Sequence, residues 1–402
     1  LNNRELFYQY VAQTSPAPLA LEIVNAKGAL LYDASGKEYI DLIGGISVAN
    51  VGHCHPKVIE AIHKQSEAYL HIMVYGEFVE TPQVQYAQLL TSHLPASLNS
   101  VYFTNSGAEA VEGAMKLAKR ATGRTQIIAF NHSYHGSTQG ALSIIGDEYW
   151  RNAFRPLLPD VLHLPYHSFD SLNEITERTA CVIAETVQAE AGIIAPSAAW
   201  MKALRKKCDE TGTLLVLDEI QTGFGRTGTL WGFEHFDMVP DIVLLGKAVG
   251  GGMPLGAFIS DKKLMGLFTE NPVLGHITTF GGHPVSCAAG MAGLKVLLEA
   301  GYSMPIDERN GVPFSVRDKE TLFRLLLIHP KIKAIRSFGL WLAVEFDSFE
   351  TNKKIIDKCI EQGVLTDWFL FASNCLRISP PLVISEEQIR KACEVIVRAC
   401  DL

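Results

Sequence analysis

The chain has 402 residues, 48% of them hydrophobic and 19% charged, with a formal net charge of −8. That length exceeds what one ordinary hydrophobic core supports, so two well-packed domains are expected, with little disorder beyond the termini. The acidic balance and the lack of any dense Lys/Arg cluster exclude a nucleic-acid or lipid-surface partner and leave small-molecule chemistry.

The first residues, LNNRELFYQYVAQ, show no basic region followed by an apolar core, and no later run reaches the ~18 apolar residues a membrane span needs. Eight scattered cysteines without a CxxC pair are expected mostly as small buried apolar residues. A cytoplasmic protein with no membrane partner is the expectation. Residues 17–47 alternate as a small sheet broken at Lys27-Gly28 and at Ser35-Gly36. From His55-Pro56 the pattern turns helical, and the runs SVYFT, TQIIAF, ACVIAE, GTLLVLD, DIVLLG and LGAFIS then alternate with helical stretches. Strands so short and apolar are buried on both faces, as in a mostly parallel sheet covered by helices. A helix starting at Pro284 runs to Gly301 and bridges to a second unit containing KIKAIRSFG, LWLAVEF, a helix over TNKKIIDKCIEQG, CLRISP and a closing helix whose "SEEQ" at Ser385 reads as a capping box. The fold class is therefore α/β: an N-terminal segment 1–47 joining the small domain, a large domain 48–290, and a smaller α+β domain 291–402.

Four strand ends carry the chemistry. After SVYFT, Asn105-Ser106-Gly107-Ala108 open directly into a helix, whose free N–H groups and dipole suit an anion such as a phosphate; a Ser cap without a ligand is the plainer use of the same residues. After QIIAF come Tyr134, His135 and Gly136, where an aromatic can stack on a flat ring. His55, His132 and His135 have no metal-ligand spacing, so no metal site is expected. The run TLLVLD delivers Asp218 and Glu219 at its carboxyl end, the edge where α/β folds bind ligands. A carboxylate there can hold a protonated pyridine nitrogen, or merely cap a loop. DIVLLG ends at Lys247 before Gly250-Gly251-Gly252; a desolvated lysine forms an imine with an aldehyde and serves as a base, whereas most lysines are simply exposed. It is the sharing of one sheet edge that favours the chemical use of each.

These segments, with "GHCHP" (52–56), "NSGAEA" (105–110), "YHG" (134–136), "DEIQTGFGRTG" (218–228), "WGFEH" (231–235), "PDIVLLGKAVGGGMPLGA" (240–257), "TTFGGHP" (278–284) and "LRISPPL" (376–382), resemble the class III aminotransferases of pyridoxal-phosphate fold type I over residues 17–402. The family spans ornithine, acetylornithine and ω-amino acid enzymes. The resemblance implies pyridoxal 5'-phosphate as a Schiff base on Lys247, Asp218 on its pyridine nitrogen and Gln221 on its phenolic oxygen. It places Ser106, Gly107 and Ala108 on the phosphate, Tyr134 on the ring, and His135 and Glu185 beside the coenzyme. It further implies a homodimer in which Thr279 reaches the neighbouring subunit's phosphate, and Arg377 as the anchor for a substrate carboxylate, neutralised by Glu190 when none is present. The expected reaction moves an amino group from a donor to a 2-oxo acid.

Departures bear on the donor. Ser137 stands where the ornithine and acetylornithine branch has an arginine, "EPIQGEGG" has become "ETVQAEAG" at 185–192, and the Asn of "GGNP" is His283. One carboxylate anchor is missing, so the expected donor is an ω-amine or ω-amino acid; His283 or Arg226 is the alternative source of the charge. The segment 302–317 lacks the usual continuous helical pattern. A racemase or aminomutase of the same fold would use the same lysine, while a non-catalytic coenzyme-binding protein is disfavoured by the retention of Lys247, Asp218 and Arg377 together. A dinucleotide dehydrogenase is disfavoured because "GKAVGGG" does not match GxGxxG.

Overall fold

The computed structural model describes residues 1–301 and 314–401. Its strands are β1 Ile23–Lys27, β2 Leu30–Asp33, β3 Glu38–Asp41, β4 Ser100–Thr104, β5 Gln126–Phe130, β6 Val161–Leu164, β7 Thr179–Glu185, β8 Leu214–Asp218, β9 Ile242–Leu245, β10 Gly256–Ser260, β11 Ala334–Ser337, β12 Leu342–Glu345, β13 Val364–Leu365, β14 Trp368–Phe369 and β15 Ala372–Ile378. All six apolar runs singled out in the sequence enter one seven-stranded sheet, ordered β4-β10-β9-β8-β7-β5-β6. Strands β5 to β9 pair in parallel, and β10 runs against both β4 and β9. The carboxyl ends of β4, β5, β7, β8 and β9 therefore open on a single edge.

The sheet is buried on both faces, which is why its strands lack polar alternation. Ile127, Ala129, Cys181, Ile183 and Val216 pack to one side with Ala110, Val111, Ala114 and Leu117 of helix Gly107–Thr122. Ile128, Phe130, Val182, Ala184, Leu215 and Leu217 pack to the other with Trp200, Met201 and Leu204 of helix Ala198–Thr211. The N-terminal strands form a second sheet, β1-β2-β3-β13, in which β3 runs parallel to β13 from near the other end of the chain. A third, β11-β12-β15-β14, is antiparallel, and helix Glu386–Cys400 closes the fold with the capping box expected at Ser385 and Gln388.

The structure adds elements that the sequence reading lacks. Helix Asn3–Tyr10 starts at an Asn2–Glu5 capping box but buries no residue, so it carries no apolar stripe to announce it. Strand β6 is an edge strand with His163 inside it, and β13 and β14 are two residues each, too short for any periodicity. Of the segment 302–317, residues 302–313 lie outside the described residues; Val316 and Arg317 already belong to helix Val316–Leu326, which Ser315 caps. Among the described residues no helix is long and apolar enough to cross a membrane.

Candidate active site

Because the strands are parallel, the loop after each brings its polar residues to the same place. Asp218 ends β8 and Glu185 ends the adjacent β7, directly opposite it. Both are buried. Asp218 Oδ1 accepts the N–H of Ile220 at 2.9 Å, and Oδ2 lies 2.7 Å from Nδ1 of the buried His135. An ionised carboxylate only accepts, so His135 donates there; its Nε2 is buried with no partner among the described residues. Glu185 accepts from the backbone N–H of Tyr134 at 3.0 Å and of Ala189 at 2.8 Å. Burial and the neighbouring Asp218 raise its pKa well above the ordinary carboxyl value.

Lys247 follows β9 by two residues and takes a left-handed backbone conformation, φ 52°, sparsely populated for a residue with a side chain. Its side chain lines the cavities at the sheet edge. Burial pushes the Lys247 pKa down to about 8, against the opposing pull of Glu190. A cavity of about 250 Å³ is lined by Gly107, Ala108, Tyr134, Asp218, Gln221 and Lys247, among others. A second, of about 560 Å³, shares Tyr134 and Lys247 with it and continues to Ile46, Glu190, Trp368 and Arg377.

In the second cavity Arg377 grips Glu190 with both terminal nitrogens, at 3.1 and 2.9 Å, and its Nε donates to Asp367 at 2.7 Å. Burial opposes the charge on Glu190, but Arg377 and the N–H of Leu370 outweigh it and hold its pKa below the usual carboxyl value. The Arg377 guanidinium also lies over the Phe369 ring, 4.3 Å from its centroid.

The first cavity fits the coenzyme expected from the sequence. Gln221 Oε1 is buried without a partner and its Nε2 has only a 3.5 Å contact to Glu190, so its amide is free to meet a ligand's polar atom. The 16-residue helix Gly107–Thr122 begins at the cavity wall, where the first-turn N–H groups have no carbonyl of their own. A Cβ on Gly107 would come within 2.7 Å of Ile220 Cδ1, so any larger residue there would have to push that side chain aside.

Not every expected residue has the same standing. Ser106 acts first as a cap, accepting the N–H of Glu109 at 3.2 Å, which leaves its hydroxyl proton available for an anion. Glu185 and His135 hold Tyr134 and Asp218 as well as lining the first cavity. Thr279 is exposed and lines neither cavity. Ser137 lines the first cavity and sits 3.2 Å from the hydroxyl of Tyr134. Arg226 is no substitute for the missing arginine: it is fully buried and bonded to the carbonyls of Leu340 and Pro380 and to Asn50. His283 stacks on His71 and lines neither cavity. The sequence reading missed Asp367, Trp368 and the turn at Gly45-Ile46, where Ile46 has φ 61°; the paired glycines after β3 were the one available signal.

The chain matches the family described as Aminotransferase class-III over residues 10–400. It is 39% identical over 398 residues to an acetylornithine aminotransferase of Methanopyrus kandleri, covering 98% of this chain and 97% of that one. With an acetylornithine aminotransferase of Methanosarcina acetivorans the identity is 40% over 401 residues, covering 97% and 94%. Among solved structures, it superposes on the ornithine aminotransferase of Toxoplasma gondii ME49 with a TM-score of 0.88 at 30% identity, covering 100% of this chain and 95% of that one. An (S)-enantioselective omega-transaminase from Thermomicrobium roseum also gives a TM-score of 0.88, at 26% identity, covering 100% and 99%. Another structure of the Toxoplasma gondii enzyme is described with PLP at its active site.

Proposed function

The chain belongs to the class-III aminotransferases, enzymes that depend on pyridoxal phosphate, and from that premise we propose that it moves an amino group from an ω-amine or ω-amino acid to a 2-oxo acid such as 2-oxoglutarate or pyruvate. When bound, pyridoxal phosphate supplies an aldehyde that takes up the amino group and a ring that draws electrons from the bond being broken. Lys247 would be its point of attachment and, once displaced, the base whose Nζ carries a proton between the two carbons of the exchange. Asp218, backed by His135, would hold the ring nitrogen protonated; Tyr134 would cover one ring face and Gln221 meet the phenolic oxygen. Ser106, Gly107 and Ala108 would receive the phosphate.

The observation that supports this donor class is the Arg377–Glu190 fork. Of the residues lining the two cavities, Lys247 and Arg377 are the strong cations, and Arg377 is already neutralised. A dicarboxylate acceptor can displace Glu190 and take the fork, and a donor without a carboxylate there leaves the pair intact. Acetylornithine, the substrate in the names of the relatives, would need a second anchor near Ser137. Wild type should therefore use simple ω-amines and diamines better than acetylornithine, and Ser137→Arg should raise kcat/KM for acetylornithine by about tenfold. Measured donor profiles with pyruvate and 2-oxoglutarate decide this; wild-type preference for acetylornithine, with no gain in Ser137→Arg, refutes it.

We also propose an active homodimer in the cytoplasm. Thr279 is exposed on a stretch of chain that also carries exposed Val273, Leu274, Ile277 and Phe280, apolar side chains of the kind a partner covers. All eight cysteines are unpaired thiols, as a reducing compartment keeps them. Sedimentation of the coenzyme-loaded protein should give a dimer or a multiple of it, and Thr279→Ala should weaken coenzyme retention without changing the assembly. A fully active monomer would contradict this.

A further inference from the structure

The Glu190 that neutralises Arg377 sits on a tight loop, and that loop is held at two points by the same sheet. Arg336 on β11 stands opposite Ala343 on β12, which stands opposite Arg377 on β15. Residues opposite one another across antiparallel strands share a face, so the two arginines project from one face about 10 Å apart, with a small residue between them. The loop lies across that gap. Val187, Ala189 and Ile193 pack with Ala343 and Phe369 in one apolar cluster. Gln188 and Ile194 exchange backbone hydrogen bonds at 3.0 and 2.9 Å to close the loop, and Ile193 is forced to φ 59°.

Arg377 takes the Glu190 side chain near the middle of this loop. Two residues on, Arg336 Nε donates to the carbonyl of Gly192 at 2.7 Å, while its remaining nitrogens pair with Glu345 and donate to Cys375 Sγ at 3.1 Å. Gly192 has φ +85°, and a Cβ there would come 2.9 Å from the Arg336 guanidinium. The loop is thus shaped to accept the clasp. We propose that Arg336 is a positioning residue: by fixing Gly192 it sets where Glu190 stands, and so how readily a substrate carboxylate replaces Glu190 on Arg377. The inference rests on the reading of Arg377 and Glu190 as the substrate's carboxylate switch.

Glu190 and a ligand carboxylate compete for one guanidinium, so loosening the Glu190 loop favours the ligand. The probe is glutarate, a dicarboxylate without a reacting carbonyl, titrated calorimetrically into coenzyme-loaded protein. Glu190→Gln should tighten glutarate binding by about tenfold, and Arg336→Met should tighten it by about threefold, with Arg336→Lys between Arg336→Met and wild type. The ratio of kcat/KM for 2-oxoglutarate over pyruvate should rise in the same order, through KM and not kcat, with thermal midpoints near wild type. If Glu190→Gln moves both readouts while the Arg336 variants bind glutarate as wild type does, or lose both acceptors evenly, the role of Arg336 is overturned and the switch stands. If Glu190→Gln moves neither, the switch itself falls and the inference with it.

Discussion

Lys247→Ala is expected to lose at least about 10⁴-fold in turnover while still binding pyridoxal phosphate in the same cavity. The lysine has two uses, as attachment point and as base, and alanine supplies neither. Its burial is what makes both feasible at neutral pH. With a pKa pushed down to about 8, about one lysine in ten carries a free electron pair at pH 7, against about one in three thousand at the ordinary value. Lys247 and Arg377 are the strong cations lining the two cavities, so no other lysine there can take over. Borohydride treatment of the loaded protein, followed by peptide mapping, should find the reduced coenzyme on Lys247 in wild type and nowhere in the variant. Wild-type turnover in Lys247→Ala, with a reducible link at a different lysine, would overturn the assignment.

The sequence made this part of the site readable because each residue in it lies at, or within four residues after, the carboxyl end of a strand. Local patterning finds apolar runs, and where such runs are parallel their ends must meet; Asp218, Lys247, Tyr134 and Gly107 were brought together by that rule alone. The family resemblance named the Arg377–Glu190 pair, but nothing in the local pattern could, since the two are 187 positions apart and meet only because β15 and the loop after β7 come together. The Arg336–Gly192 clasp spans 144 positions and depends on the register of β11 on β12, which no run of residues announces. Backbone strain is equally silent: Ile46 and Ile193 are β-branched residues in left-handed conformations, held there by surrounding packing and hydrogen bonds. Arg226 failed in the opposite sense. Its neighbours in "GFGRTG" suggest a loop open to ligand, but its guanidinium turns inward to join Asn50, Leu340 and Pro380, tying together parts of the chain distant in sequence.

The second large effect is expected at Asp218. Asp218→Asn preserves the shape of the side chain and an oxygen for the Ile220 N–H, while its amide N–H donates to His135 Nδ1 in the ring's other tautomer, so its main consequence is the loss of charge. A neutral amide cannot hold a proton on a ring nitrogen, and an unprotonated ring is a poor sink for electrons. Under single-turnover conditions the conversion of the coenzyme's aldehyde form to its amine form should slow by about 10³-fold. Asp218→Ala should be equally slow and less stable in addition. It strips the partner from His135 Nδ1, 2.7 Å away, in a residue whose other ring nitrogen is already unpaired, and leaving a buried donor unsatisfied costs about 1–3 kcal/mol. The two variants should therefore separate by thermal midpoint but not by rate. A second consequence follows from the pairing of β7 with β8: Asp218 is a cause of the raised pKa of Glu185, so removing its charge lets Glu185 ionise at lower pH. An unchanged single-turnover rate in Asp218→Asn would remove Asp218 from the ring-nitrogen role, whatever its effect on stability.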